Sequence, residues 1–100
     1  MREQVQVIVE REGSSPQTYC MFPDMPFEGM MRMYAWQHGL NENTLLWLWP
    51  AWGSIARFYN RAPDPTVRLH IHGDYTVQRL VRASGMTDST APIVLLVEQV

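Results

Sequence analysis

The spacing of apolar residues changes several times along the hundred-residue chain, and each change marks an element. Val5, Val7 and Val9 alternate with Gln4, Gln6, Ile8 and Glu10, the period of a strand with one buried face. The turn residues Arg11-Glu12-Gly13-Ser14-Ser15-Pro16 follow, and Gln17 to Phe22 reads as the returning strand of a hairpin. Its register turns Tyr19 and Met21 inward and Thr18, Cys20 and Phe22 outward.

The period then lengthens. Phe27, Met30, Tyr34 and His38 recur at intervals of three and four, flanked by Met33 and Gln37, which predicts a helix over about Met25 to His38 with one apolar stripe. Pro23 keeps Phe22 out of the helix, Asp24 is a suitable N-cap, and Pro26 in the first turn has no intrahelical N–H bond to lose. Gly29 inside a helix costs on the order of 1 kcal/mol relative to Ala, so a close packing contact is expected there. Gly39 supplies the stop.

From Thr44 to Trp49 the period is two, with Leu45, Trp47 and Trp49 on one face and Leu46 and Leu48 on the other. Both faces are apolar. Pro50-Ala51-Trp52-Gly53 ends this strand, Ser54 to Asn60 has the make-up of a short helix capped by Ser54, and Arg61-Ala62-Pro63-Asp64-Pro65 is a loop. Thr66 to His72 alternates again, with Val67, Leu69 and Ile71 opposite Arg68, His70 and His72. Asp74 is placed to cap a second short helix over Tyr75 to Ala83, with Val77, Leu80 and Val81 facing the core. After a turn at Met86 to Thr90, the run Ile93-Val94-Leu95-Leu96-Val97 suits a strand buried centrally in its sheet.

The unit of a helix carrying Tyr34, a turn at Gly39 and then Thr44, Leu45, Trp47 and Trp49 resembles the helix and third strand of ubiquitin-like proteins. Within them it is most similar to the SUMO branch, whose Ser/Thr-Leu-x-Phe-x-Phe pattern aligns without a gap. The similarity extends back through Val7 to Phe22, resumes at Ser84-Gly85-Met86 and at Ile93 to Gln99, and fails between Pro50 and His72. It implies an α+β ubiquitin-like β-grasp: a mixed sheet of four to five strands, one main helix, a short second helix, and an insertion or long loop at 51–65. The last strand would lie parallel to the first in the middle of the sheet.

One hundred residues make a single domain, residues 1–100. No run approaches the roughly 18 apolar residues of a membrane span, and the single cysteine, Cys20, excludes an intrachain disulfide and any cysteine-based zinc site. An intracellular protein, cytoplasmic or nuclear, is expected. The net charge is −2, and all eight cations are Arg, so the chain is lysine-free.

Candidate chemistry is sparse. His70 and His72 stand two apart on a strand, so both side chains can reach one metal, but a distant His38 or Asp74 must then supply further ligands; alternation with Val67, Leu69 and Ile71 is what an exposed strand face looks like, and that reading is preferred. No nucleophile elbow, zinc-protease motif or phosphate-binding glycine loop is present, so no enzyme activity, cofactor or metal is expected. Trp36, Trp47, Trp49 and Trp52 with Arg57, Arg61, Arg68, Arg79 and Arg82 outline a small nucleic-acid-binding domain as the alternative of another class. The acidic balance opposes it, and core packing accounts for Trp47 and Trp49.

The resemblance points instead to a noncovalent protein-interaction module. In SUMO proteins the groove between the second strand and the helix receives an extended hydrophobic peptide as an added strand. The corresponding positions are Tyr19, Cys20, Met21, Phe22, Met30, Tyr34 and Gln37. Cys20, Phe22 and Gln37 replace the family's rim cations, so an apolar peptide fits better than the usual acidic-flanked one. Leu46 and Leu48 occupy the region that ubiquitin-like folds use as an apolar docking patch, unless Ile55, Phe58 and Tyr59 from Ala51 to Pro65 fold back over them. The expected partner is such a peptide or a component of a ubiquitin or SUMO pathway. Conjugation, the alternative within the family, needs a flexible tail ending in Gly-Gly, whereas this sequence ends in Glu98-Gln99-Val100. The module is therefore expected to be non-conjugating as it stands, or truncated before that tail.

Overall fold

The computed structural model describes residues 4–49, 68–84 and 92–100, with the backbone alone at 81–84. Alternating apolar positions form β1 (Val5–Arg11), β2 (Gln17–Met21), β3 (Leu45–Trp49), the short β4 (Leu69–His70) and β5 (Ile93–Gln99). Two helices, α1 (Glu28–Gln37) and α2 (Val77–Ser84), and a 3-10 turn at Glu42–Thr44 complete the described elements. The strands make one sheet in the order β2-β1-β5-β3-β4. β1 and β5 run parallel, with Val7 opposite Ile93 and Val9 opposite Leu95, and every other neighbouring pair is antiparallel. This is the β-grasp arrangement, a mixed five-stranded sheet with one main helix and a short second one.

One core joins the layers. Val5, Val7 and Val9 from β1, Ile93, Leu95 and Val97 from β5, and Trp47 and Trp49 from β3 are all buried. Against them α1 and its entry lay Phe27, Met30, Met31 and Tyr34, and α2 adds Val77 and Leu80. Tyr34, fully buried, sets its ring edge-on to Trp47 at 5.5 Å, a favoured aromatic geometry.

The helix ends show which local signals governed. Gly39 adopts φ +64°, and Leu40 N–H donates to Ala35 O (2.8 Å) while Gly39 N–H donates to Trp36 O (3.3 Å). That is a Schellman closure, and Leu40 packs on the core as the motif requires. The other end differs from expectation. α1 begins at Glu28, its N-cap residue is Phe27, and no side chain caps it, so Asp24 does not have that role. Two of the free donors of the first turn are met by backbone instead: Phe27 N–H donates to Tyr75 O and Glu28 N–H to Gly73 O, both at 2.9 Å. A bridge between Pro26 and Thr76 fixes this junction.

α2 likewise starts two residues later than expected. Thr76 Oγ1, not Asp74, accepts the N–H of Arg79 (3.1 Å), because Tyr75 is held in a turn by its N–H bond to His72 O (3.1 Å). The strand expected over Thr66 to His72 narrows, among described residues, to Leu69–His70. Ile71 is buried and donates its N–H to Trp47 O (2.8 Å), whereas Leu69, expected on the same side, is 39% exposed on the edge strand. Gly29 has no atom within 4 Å of where a Cβ would sit, so the close contact expected there is absent. The 51–65 insertion, the Ser54 helix, Val67 and the 86–90 turn lie outside the described residues, as do Ile55, Phe58, Tyr59, Arg57 and Arg61.

Candidate functional site

β2 forms one edge of the sheet and, among the described residues, pairs only with β1. α1 crosses beside it, and four polar side chains stitch the two together. His38 Nε2 bonds Gln17 Oε1 (3.0 Å), which requires the ring proton on Nε2, and Gln17 Nε2 donates to Gln37 Oε1 (2.8 Å). The Tyr19 hydroxyl donates to the same Gln37 oxygen (2.8 Å). The His38 ring lies against Tyr34 at 4.2 Å between centroids. At the hairpin end, Arg11 Nε donates to the Tyr34 hydroxyl (3.2 Å) and a second Arg11 nitrogen to Ser14 Oγ (2.8 Å).

Burial holds the Tyr19 hydroxyl above the ordinary tyrosine pKa, with the nearby Tyr34 adding to the effect. The phenol therefore stays a neutral donor throughout the physiological range.

The expected groove residues divide by depth. Met21, Met30 and Tyr34 are buried in the core, so the structure does not offer them at the surface as expected. Tyr19 and Phe22 are half-buried, and Cys20 and Gln37 are exposed. Met33, one helical turn before Gln37, is 51% exposed on the same flank. The one local signal of the Gln17–Gln37–His38 chain in the sequence is the place of His38 on the apolar stripe. Across the molecule, an open recess of about 300 Å³ between α1 and β3 has a charged rim, where Arg32 pairs with Glu28 (2.6 Å) and Glu42 (3.6 Å).

On the sheet face away from α1, Leu46 and Leu48 are half-buried. Leu48 stands beside Leu96, and Ile8 beside Val94, so five half-buried aliphatic side chains share that face.

The other candidates separate. His70 and His72 are both exposed, with rings 4.4 Å apart, but His72 also meets Tyr75 edge-on, and His38 is engaged in the groove. Among the described residues no group of three or more His, Cys, Asp or Glu is placed to hold a metal. Arg79 lies over the Tyr75 ring at 4.2 Å, Arg68 is exposed before β4, and Arg82 belongs to α2. No described helix is long and apolar enough to cross a membrane.

Neither protein-family models nor curated proteins match this chain. Among solved structures it is similar to a de novo designed protein based on ubiquitin. That likeness has a TM-score of 0.58 and 12% identity over 96% of this chain and 88% of the other. At that identity it establishes the fold, which is ubiquitin-like.

Proposed function

We propose that this ubiquitin-like chain is a noncovalent protein-interaction module that takes an extended apolar peptide as an added strand along β2, as SUMO-type domains do. The observation that supports it most is the character of the edge. Exposed edge strands are normally guarded by charge, proline or a bulge within the strand, yet Gln17-Thr18-Tyr19-Cys20-Met21 carries none of the first two. The facing helix flank, Met33 and Gln37, is also uncharged. Main-chain bonds would give such a peptide its affinity, and Tyr19, Phe22 and Met33 would sort its side chains. Among the described residues β2 and the facing α1 flank carry no cation, and Arg11 at the hairpin end is engaged by Tyr34 and Ser14, so acidic flanks on the peptide bring little advantage.

Amide chemical-shift mapping with a short Val/Ile-rich peptide lacking acidic residues tests this. Shifts are expected along Gln17 to Phe22 and at Met33 and Gln37, with an affinity that changes less than about twofold as salt is raised, since no ion pair is made. Cys20→Lys, which charges the edge, should weaken binding at least about tenfold. Shifts confined to Ile8, Leu46, Leu48, Val94 and Leu96 would move the docking role to the outer sheet face and overturn the edge assignment.

A further inference from the structure

β4 and the turn after it hold two imidazoles side by side. His70 and His72 flank the buried Ile71 and are both exposed, with ring centroids 4.4 Å apart and planes inclined at 42°. The backbone beneath them is fastened at each residue. His70 pairs with Leu48 in the β3–β4 ladder, Ile71 N–H donates to Trp47 O (2.8 Å), and His72 O accepts the N–H of Tyr75 (3.1 Å). The Tyr75 ring also braces His72 edge-on at 5.4 Å, and the neighbouring Arg79 cation is drawn over the Tyr75 ring. An ion arriving from solvent meets the pair already assembled, with little ordering left to do.

The spacing fits one coordination geometry better than another. A metal bonded to an imidazole nitrogen at about 2.0–2.1 Å lies about 3.2 Å from the ring centre. Two such rings have centres about 4.5 Å apart when bound at a right angle and about 5.2 Å apart at the tetrahedral angle. The observed 4.4 Å matches adjacent positions of a tetragonal ion. Tetragonal sets of nitrogen and oxygen suit Cu2+ and Ni2+, and Cu2+ stands highest in the general affinity order. A closed site with three or more protein ligands is not formed among the described residues, so water would fill the other positions.

We propose that His70 and His72 form a solvent-exposed chelate for Cu2+, two adjacent imidazoles completed by water, at the β4 border of the sheet and so remote from the β2 edge. Titration of the full chain with Cu2+ at neutral pH, followed by calorimetry and electron paramagnetic resonance, is the test. Wild type should take up one tightly held ion, with an axial spectrum that shows two imidazole nitrogens, and should bind Zn2+ less tightly. His70→Ala and His72→Ala should each weaken binding at least about tenfold, because the second ligand of a chelate binds as an intramolecular group. Asp74→Asn should change it less than about twofold, since water and not this carboxylate completes the set. Wild type that binds Cu2+ no more tightly than the single-histidine variants would overturn the proposal, as would a spectrum with one imidazole nitrogen. Tighter Zn2+ than Cu2+ binding, or a tenfold loss in Asp74→Asn, would equally overturn the assigned geometry. Far-ultraviolet circular dichroism establishes that the variants, all at exposed positions, keep the fold.

Discussion

Gly29 isolates a backbone effect, because a methyl group added there meets nothing within 4 Å and its φ is not positive. Gly29→Ala should therefore stabilise the chain by about 0.5–1 kcal/mol through the reduced entropy of the unfolded state, read as a higher midpoint in urea. A lower midpoint would mean that the space beside Gly29 is occupied in the native protein. Tyr19 isolates a single proton. Its native pKa is raised above the unfolded value near 10, so the unfolded chain loses this proton first. The stability linked to it is complete below about pH 10 and falls as pH rises from there through the native pKa. Tyr19→Phe should flatten that alkaline decline while costing below about 1 kcal/mol at neutral pH for the exposed bond to Gln37. Alkaline unfolding of the two proteins compared side by side measures the difference.

The two helix starts differ in how they are satisfied, and that difference is measurable. α2 depends on the Thr76 hydroxyl, so Thr76→Ala should cost about 0.5–2 kcal/mol. Because Thr76 also bridges Pro26 at the entry to α1, hydrogen exchange should quicken at Phe27 and Glu28 as well as in α2. Acceleration in α2 alone would show that the junction is not shared. Asp24→Ala, by contrast, should leave the α1 start unchanged, since Gly73 and Tyr75 carbonyls hold it. This contrast also explains what was legible in the sequence. Gly39, the β1 alternation and the apolar faces of β3 are signals written within a few neighbouring residues, and each was read correctly. The start of α1 is determined by carbonyls more than forty positions away, which no local pattern encodes. The resemblance, not the periodicity, singles out Met21, Met30 and Tyr34 as groove positions, and their burial depends on how closely β2 and α1 pack. The Gln17–Gln37–His38 chain depends on that same spacing between distant elements.

At the scale of the whole molecule, the central strand β5 touches both sides of the sheet, so neighbouring residues on it report on core and surface separately. Leu95 is fully buried between β1 and the helices' side chains, whereas Leu96 is half-buried on the opposite face beside Leu48. Leu95→Ala should cost about 2–5 kcal/mol from lost burial and the cavity left behind. Against the roughly 5–15 kcal/mol that hold a domain of this size together, that brings the fold close to its limit. All probes should then move together, because strands and helices share one core. Leu96→Ser removes apolar surface that is already partly wet and should cost below about 1 kcal/mol. Urea unfolding followed by Trp fluorescence and circular dichroism distinguishes the pair. A Leu96→Ser cost approaching that of Leu95→Ala would mean the outer aliphatic face is covered in the folded chain, which would remove Leu46 and Leu48 as a docking surface and leave partner capture to β2.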